Sequence, residues 1–152
     1  MSQYPNSIDI QHYLPHRAPM LMVDLILELT DFEVKTVLEI RKDNIFVADG
    51  IFAEIGLIEN AAQTCSAIVG QSFFLNEDKQ VKEGIKVIGF ISGIKKIQVY
   101  NVANEGDVLN THSTLMSRFD NNGYSICAMS SSIYVKDILI FEAEMNLFIQ
   151  EN

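Results

Sequence analysis

The chain has 152 residues, a length that fits one domain, and its 48% hydrophobic and 20% charged residues can fill a core and do not suit a disordered polymer. A net charge of -9 argues against a nucleic-acid binder, which normally carries a basic face. No apolar run reaches the ~18 residues a bilayer span requires, and the opening "MSQYPNSIDIQ" has no basic region leading into an apolar stretch, so a cytoplasmic protein outside the membrane is expected.

In chain order, Asn6 or Ser7 is suited to cap a short helix through Tyr13, which Pro15 would end. The stretch "LPHRAPMLMVDLILE", residues 14 to 28, then places His16 and Arg17 between two prolines ahead of an apolar run. Such a loop is held in a fixed shape, and it is expected to turn the chain and to pack His16 and Arg17 against the central helix or a partner. Residues 20 to 29 read as a first strand. "EVKTVLEIR", residues 33 to 41, alternates apolar and polar positions with period two, the mark of a half-buried strand.

The period changes near residue 55. "IGLIENAAQTCSAIVGQSFFL" places apolar or small residues at 57, 58, 61, 62, 65, 68, 69 and 73, a helical spacing with few large polar groups, so this helix is buried on more than one side. Gly70 inside it costs about 1 kcal/mol relative to Ala; close packing against another backbone is one reason to accept that. After Gly84 the signals are those of strands: Ile85 to Ile91, Ile94 to Val102, Val108 to Ser117, Tyr124 to Val135 and Leu139 to Ile149. A Gly-Asp turn at 106 and 107, "DNNG" at 120 to 123 and Lys136-Asp137 punctuate them. The sum is an α+β domain spanning residues 1 to 152: one long helix wrapped by a curved antiparallel sheet of about six strands, with an edge strand that favours a dimer.

The two cysteines, Cys65 and Cys127, lie outside any C-x-x-C motif and have no histidine at ligand spacing, so a disulfide, metal or cofactor is not expected. Cys65 falls on the apolar helical stripe and reads as core filling. The basic residues gather at Arg41-Lys42, at Lys95-Lys96 and at Lys79, Lys82 and Lys86. Solvated surface explains most such groups, and a local docking patch is the minority reading.

Three segments together resemble one family. "LPHRAPMLMVDLILE" is similar to the N-terminal signature of hotdog-fold 3-hydroxyacyl-(acyl-carrier-protein) dehydratases of the FabZ and FabA type. "LIENAAQ", residues 57 to 63, is similar to that family's central-helix motif, with a Glu four positions before a Gln. "GFISGIKKIQVYNVANEGDVL", residues 89 to 109, is similar to its strand-turn segment. The matches run in family order over most of the chain.

The departures matter as much. Where the family has Gly-His-Phe-Pro, this chain reads Gly50-Ile51-Phe52-Ala53, so Ile51 stands where the catalytic histidine is expected. The proline-rich loop that usually follows is missing, and the family's later arginine is Gln98. This pattern resembles a branch found in aryl-polyene-type pigment clusters, where a histidine-lacking subunit can pair with a histidine-bearing dehydratase.

Dehydration of a 3-hydroxyacyl thioester needs a base beside the carbonyl, an acid for the leaving hydroxyl and a donor for the enolate oxygen. The resemblance makes Glu59, in the first turn of the helix, the catalytic carboxyl and gives Gln63 an orienting role. Apolar neighbours would raise the carboxyl's pKa and the helix start would lower it. With Ile51 unable to take a proton, His16 is the internal candidate for the base; His12 and His112 read as bland. Phe52, Gly56, Gln63, Gly93 and Ile94 are the expected substrate-binding positions, with backbone N–H groups at the helix start or after Gly93 to hold the thioester oxygen. The implied partners are an acyl carrier protein or acyl-CoA thioester, and a second hotdog subunit in a homodimer or heterodimer. The alternative is a non-catalytic module binding acyl chains or an acyl carrier protein.

Overall fold

A computed structural model describes residues 4–151. Its main sheet holds six strands in the order β1-β2-β7-β8-β9-β5, all antiparallel. These are β1 (Leu25–Leu29), β2 (Glu33–Glu39), β5 (Val87–Val99), β7 (Val108–Asn121), β8 (Tyr124–Val135) and β9 (Ile138–Glu151). Three two-residue strands, β3 (Val47–Ala48), β4 (Ile51–Phe52) and β6 (Ala103–Asn104), form a small second sheet beside the helix start. The single α-helix among the described residues, α1 (Glu54–Phe74), runs for 21 residues and lies against the inner face of the main sheet. This is the hotdog arrangement.

The helix is buried on several sides because few of its residues demand water. Leu57, Ala61, Cys65 and Val69 pack with Met129, Phe141, Met145 and Leu147 of the sheet, while Ala67 and Ile68 meet Ile10, Leu14, Val23 and Ile26. The sheet supplies its half by alternation: Cys127, Met129, Ser131 and Ile133 of β8 all point inward. The contact also carries buried polar bonds. The Thr36 and Thr64 hydroxyls meet at 2.8 Å, Cys65 Sγ lies 3.3 Å from Ser131 Oγ, and Ser131 bonds the Ser113 hydroxyl. Directional bonds of this kind fix how the helix is turned and slid over the sheet, where apolar contacts alone tolerate slippage.

Several elements differ from the sequence pattern. The N-terminal helix is only a 3-10 turn at Ile10–His12, capped by Asp9, whose Oδ1 accepts the Gln11 N–H at 2.9 Å; Asn6 and Ser7 are not its cap. The first strand begins at Leu25, because Met20 and Met22 bond to helix side chains in place of a neighbouring strand. The two runs from Ile85 to Val102 are one strand, β5, whose irregularities at Ile91/Gly93 and Ile94/Lys96 are absorbed as bulges and do not become a turn. The short strands β3, β4 and β6 lack the length to show any period.

The helical glycine has its explanation. A Cβ on Gly70 would sit 2.1 Å from the Tyr13 carbonyl oxygen, so the backbone of the N-terminal segment lies directly on the helix there. The two edges of the sheet differ. Ile8 and Ile26 exchange backbone bonds of 2.8 and 3.2 Å and so cover β1. Along β5, 13 residues long, no strand pairs with the outer edge among the described residues, and Ile88, Phe90 and Ile94 are exposed.

Candidate active site

Glu59 lies in the second turn of α1, one turn later than expected, since the helix already begins at Glu54. That moves the carboxylate away from the free N–H groups of the helix start. Gln63, four residues on and therefore on the same face, donates from Nε2 to Glu59 Oε1 at 2.8 Å. The same nitrogen donates to the Met20 carbonyl at 2.9 Å, and Gln63 Oε1 accepts the Met22 N–H at 2.6 Å. Asn60 completes the set. Its Nδ2 donates to the Met22 carbonyl at 2.7 Å and its Oδ1 accepts the Thr111 hydroxyl at 2.6 Å. Two helix amides thus satisfy both polar groups of Met22, as a partner strand would. Sequence reasoning misses Asn60 because an isolated Asn on a helix carries no signal of its own.

This clamp brings the Pro15–Pro19 loop over the helix. His16 Nε2 comes to 3.9 Å from Glu59 Oε1, with about a quarter of each side chain exposed (23% and 27%). Burial pushes the His16 imidazole below its usual pKa; the Glu59 carboxylate pulls it back up in part, and Arg17 adds to the lowering. His16 Nδ1 is buried with no hydrogen-bond partner among the described residues. Arg17 does not reach the helix. Its guanidinium folds back on its own loop, donating to the Leu14, His16 and Gln11 carbonyls at 2.9, 2.8 and 3.3 Å.

His16, Glu59 and Gln63 line one cleft of about 190 Å³, together with Ala62, Ser66, Leu147 and the β5 residues Gly89, Phe90 and Ile91. Larger grooves of about 510 and 360 Å³ lie at the C-terminal end of α1 and beside His112. The smaller cleft is the candidate because there a carboxylate, an imidazole held toward neutrality and an apolar wall converge.

The other expected positions are placed elsewhere in this chain. Phe52 is buried and packs edge-on to Phe46 at 6.3 Å between centroids. Gly56 lies under the Phe52 ring, 2.6 Å from where a Cβ would sit, so it serves this packing. Gly93 and Ile94 stand farther along β5, and none of these four lines the cleft. Ile51, on β4, is half exposed. Gln98 accepts the Tyr100 hydroxyl at 2.7 Å on an exposed part of β5. His112 pairs with Glu33 at 3.8 Å on the strand surface. Cys65 and Cys127 are both buried, and burial pushes the Cys127 thiol up to about 11. Among the described residues no group of His, Cys, Asp and Glu is arranged to hold a metal ion, and no helix is long and apolar enough to cross a membrane.

A FabZ 3-hydroxyacyl-(acyl-carrier-protein) dehydratase of a Nitratiruptor species is 29% identical over 148 residues, covering 93% of this chain and 95% of that protein. The FabZ of Rickettsia bellii is 24% identical over 149 residues, covering 94% of each. Among solved structures, the dehydratase heterocomplex ApeI:P from Xenorhabdus doucetiae is similar with a TM-score of 0.77 at 20% identity, covering 95% of this chain and 92% of that chain, a likeness of fold. Residues 8–152 match the ApeP-like family, described as ApeP dehydratase. The chain therefore belongs to the ApeP-like dehydratases, hotdog-fold proteins related to FabZ.

Proposed function

We propose that this chain is one subunit of a 3-hydroxyacyl thioester dehydratase in fatty-acid or polyene-type synthesis. It supplies Glu59 to a site that a histidine-bearing hotdog partner completes. The observation that carries the reading is the placement of Glu59: part-exposed, fixed by Gln63, and facing a cleft beside the bare edge of β5. In the reaction the C2–H and C3–O bonds break, the C2=C3 bond forms and water leaves. A base takes the C2 proton while the Glu59 carboxyl, in its acid form, gives its proton to the departing hydroxyl. Transfer of a proton from the base back to Glu59 through solvent resets the site.

Three further features support the reading. Ile51, at the position of the family histidine, can supply no base, and so a complementary subunit is called for. The exposed β5 edge, with Ile88, Phe90 and Ile94, is a template for strand addition by such a subunit. The similar Xenorhabdus structure is itself a heterocomplex. An acidic acyl carrier protein would meet the exposed Lys95-Lys96 pair on β5, which makes its binding weaken with salt.

The test is a dehydratase assay on a 3-hydroxyacyl carrier-protein thioester, with the chain alone, a histidine-bearing hotdog homologue alone, and the two mixed. Turnover in the mixture above either component, lost with Glu59→Gln, is expected. Full turnover by the Glu59→Gln mixture refutes the role of Glu59, and no gain on mixing leaves acyl-chain or carrier-protein binding as the function.

A second reading is favoured by one observation: His16 sits 3.9 Å from Glu59 in the same chain, with burial holding its imidazole toward the neutral form. His16 is then the base. The chain alone turns over, and His16→Ala abolishes that activity; retained turnover in this variant removes His16 from the chemistry.

A further inference from the structure

We infer that Asn60 and Thr111 are positioning residues for the cleft: by holding Met22, they fix the loop that carries His16 against the helix that carries Glu59. Both are buried, at 0% and 2% exposure, and neither lines the cleft. Any effect on the chemistry must therefore pass through what they hold. The Thr111 hydroxyl donates to Asn60 Oδ1, which turns the amide so that Nδ2 faces the Met22 carbonyl. Met22 held in this way presents its N–H to Gln63 Oε1. With its oxygen so engaged, Gln63 has only its nitrogen to offer, and that nitrogen reaches both the Met20 carbonyl and Glu59. The path Thr111–Asn60–Met22–Gln63–Glu59 joins the central strand β7, the helix and the loop segment in one run of bonds of 2.6 to 2.9 Å.

Residues 20 to 22 lie outside any strand; the Met22 side chain is buried in the core, and these helix amides bind both of its backbone polar groups and the Met20 carbonyl. Asn60 and Gln63 stand three residues apart and share a helix face, which lets them hold one residue, Met22, by its carbonyl and its N–H. Without the Asn60 half of the grip, Met22 can draw away, and the Gln63 amide can rotate and release the carboxylate. This inference rests on the proposed role of Glu59 in dehydration.

Thr111→Val, of the same shape without the hydroxyl, tests it in the active mixture or in the chain alone, whichever turns over. A fall in kcat of about tenfold is expected with KM within about twofold, since the substrate contacts remain while the reacting group is misplaced. Thr111→Ser, which keeps the hydroxyl, restores kcat. A second readout needs no activity: titration of His16 by NMR. The charged groups facing His16 are Glu59 on α1 and Arg17 on its own loop. Loosening the loop raises the His16 pKa toward its ordinary value. Wild-type kcat together with an unmoved His16 titration in Thr111→Val overturns the inference, even if the melting temperature falls. Should the valine variant fail to fold, Thr111→Ala is read by the same measurements. If Glu59→Gln retains full activity, the dehydration role fails, and the His16 titration still decides whether Asn60 and Thr111 position the loop.

Discussion

Replacing Gly70 with alanine sets two effects of known size against each other. At an ordinary helix position alanine is favoured over glycine by about 1 kcal/mol. Here the new Cβ would lie 2.1 Å from the Tyr13 carbonyl oxygen and 3.1 Å from its carbon, where real Cβ atoms essentially never come within 3.0 Å. The segment must retreat by at least 3.0 − 2.1 = 0.9 Å. The atom struck is backbone, so no rotamer change relieves it. Its neighbours Ile10 and Leu14 are buried at 2% and 1% against Ala67 and Ile68, so the retreat opens packing on both sides. Such overpacking costs on the order of 1 to 3 kcal/mol, with a backbone clash toward the upper end. After the helix-propensity gain, a net loss of about 1 to 2 kcal/mol remains. For a chain of this length that lowers the melting temperature by roughly 2 to 8 °C, readable by circular dichroism or calorimetry. The displaced segment leads into Pro15 and His16, so the His16 titration should shift as well. A Gly70→Ala protein as stable as the parent, or more so, would show that Tyr13 does not rest on the helix and refute the reasoning.

Burial holds His16 below its ordinary pKa in the folded state, so the unfolded chain takes up this proton first as pH falls. Its contribution is complete above the ordinary value of 6.5 and is lost as pH drops through the folded value. His16→Gln should accordingly flatten the pH dependence of melting temperature just below 6.5, and an unchanged slope would count against a buried His16. Both thiols are buried and Cys127 is pushed up to about 11, so an aromatic disulfide reagent at about pH 8 should label neither until denaturant is added. Rapid labelling of the native chain would contradict their burial. Phe52→Ala removes a 2%-exposed ring packed on Phe46 and over Gly56, and should cost about 3 to 5 kcal/mol by denaturant titration. A loss under about 1 kcal/mol would place Phe52 outside the core.

Much of the fold is legible because its signals are local. The helical spacing of Leu57, Ala61, Cys65 and Ile68 and the alternation of β8 and β9 each follow from which face must avoid water, and neighbours in sequence reveal that face. Gly70 announces a close approach, although not by what. The extent of β5 is not legible, because glycine weakens a strand pattern whether it makes a bulge or a break, and only pairing with β9 chooses between them. The first strand looks longer in the sequence than it is, because Met20 to Met22 are apolar enough for a strand, but Met20 and Met22 bond to helix amides and Leu21 to the loop.

For the site, the identities are readable in the chain: the carboxyl at 59 with an amide four residues on, the histidine between two prolines, and an isoleucine at 51 where the family resemblance implies a histidine. Which of these groups meet follows from the packing. His16 and Glu59 are 43 residues apart, and their approach depends on how far the helix is turned and slid over the sheet. That placement is set by Asn60 on Thr111, Thr64 on Thr36 and Cys65 on Ser131, bonds between residues far apart in the chain. No periodicity encodes such pairs, because each side chain would be equally at home without the other until the fold brings them within 3.3 Å.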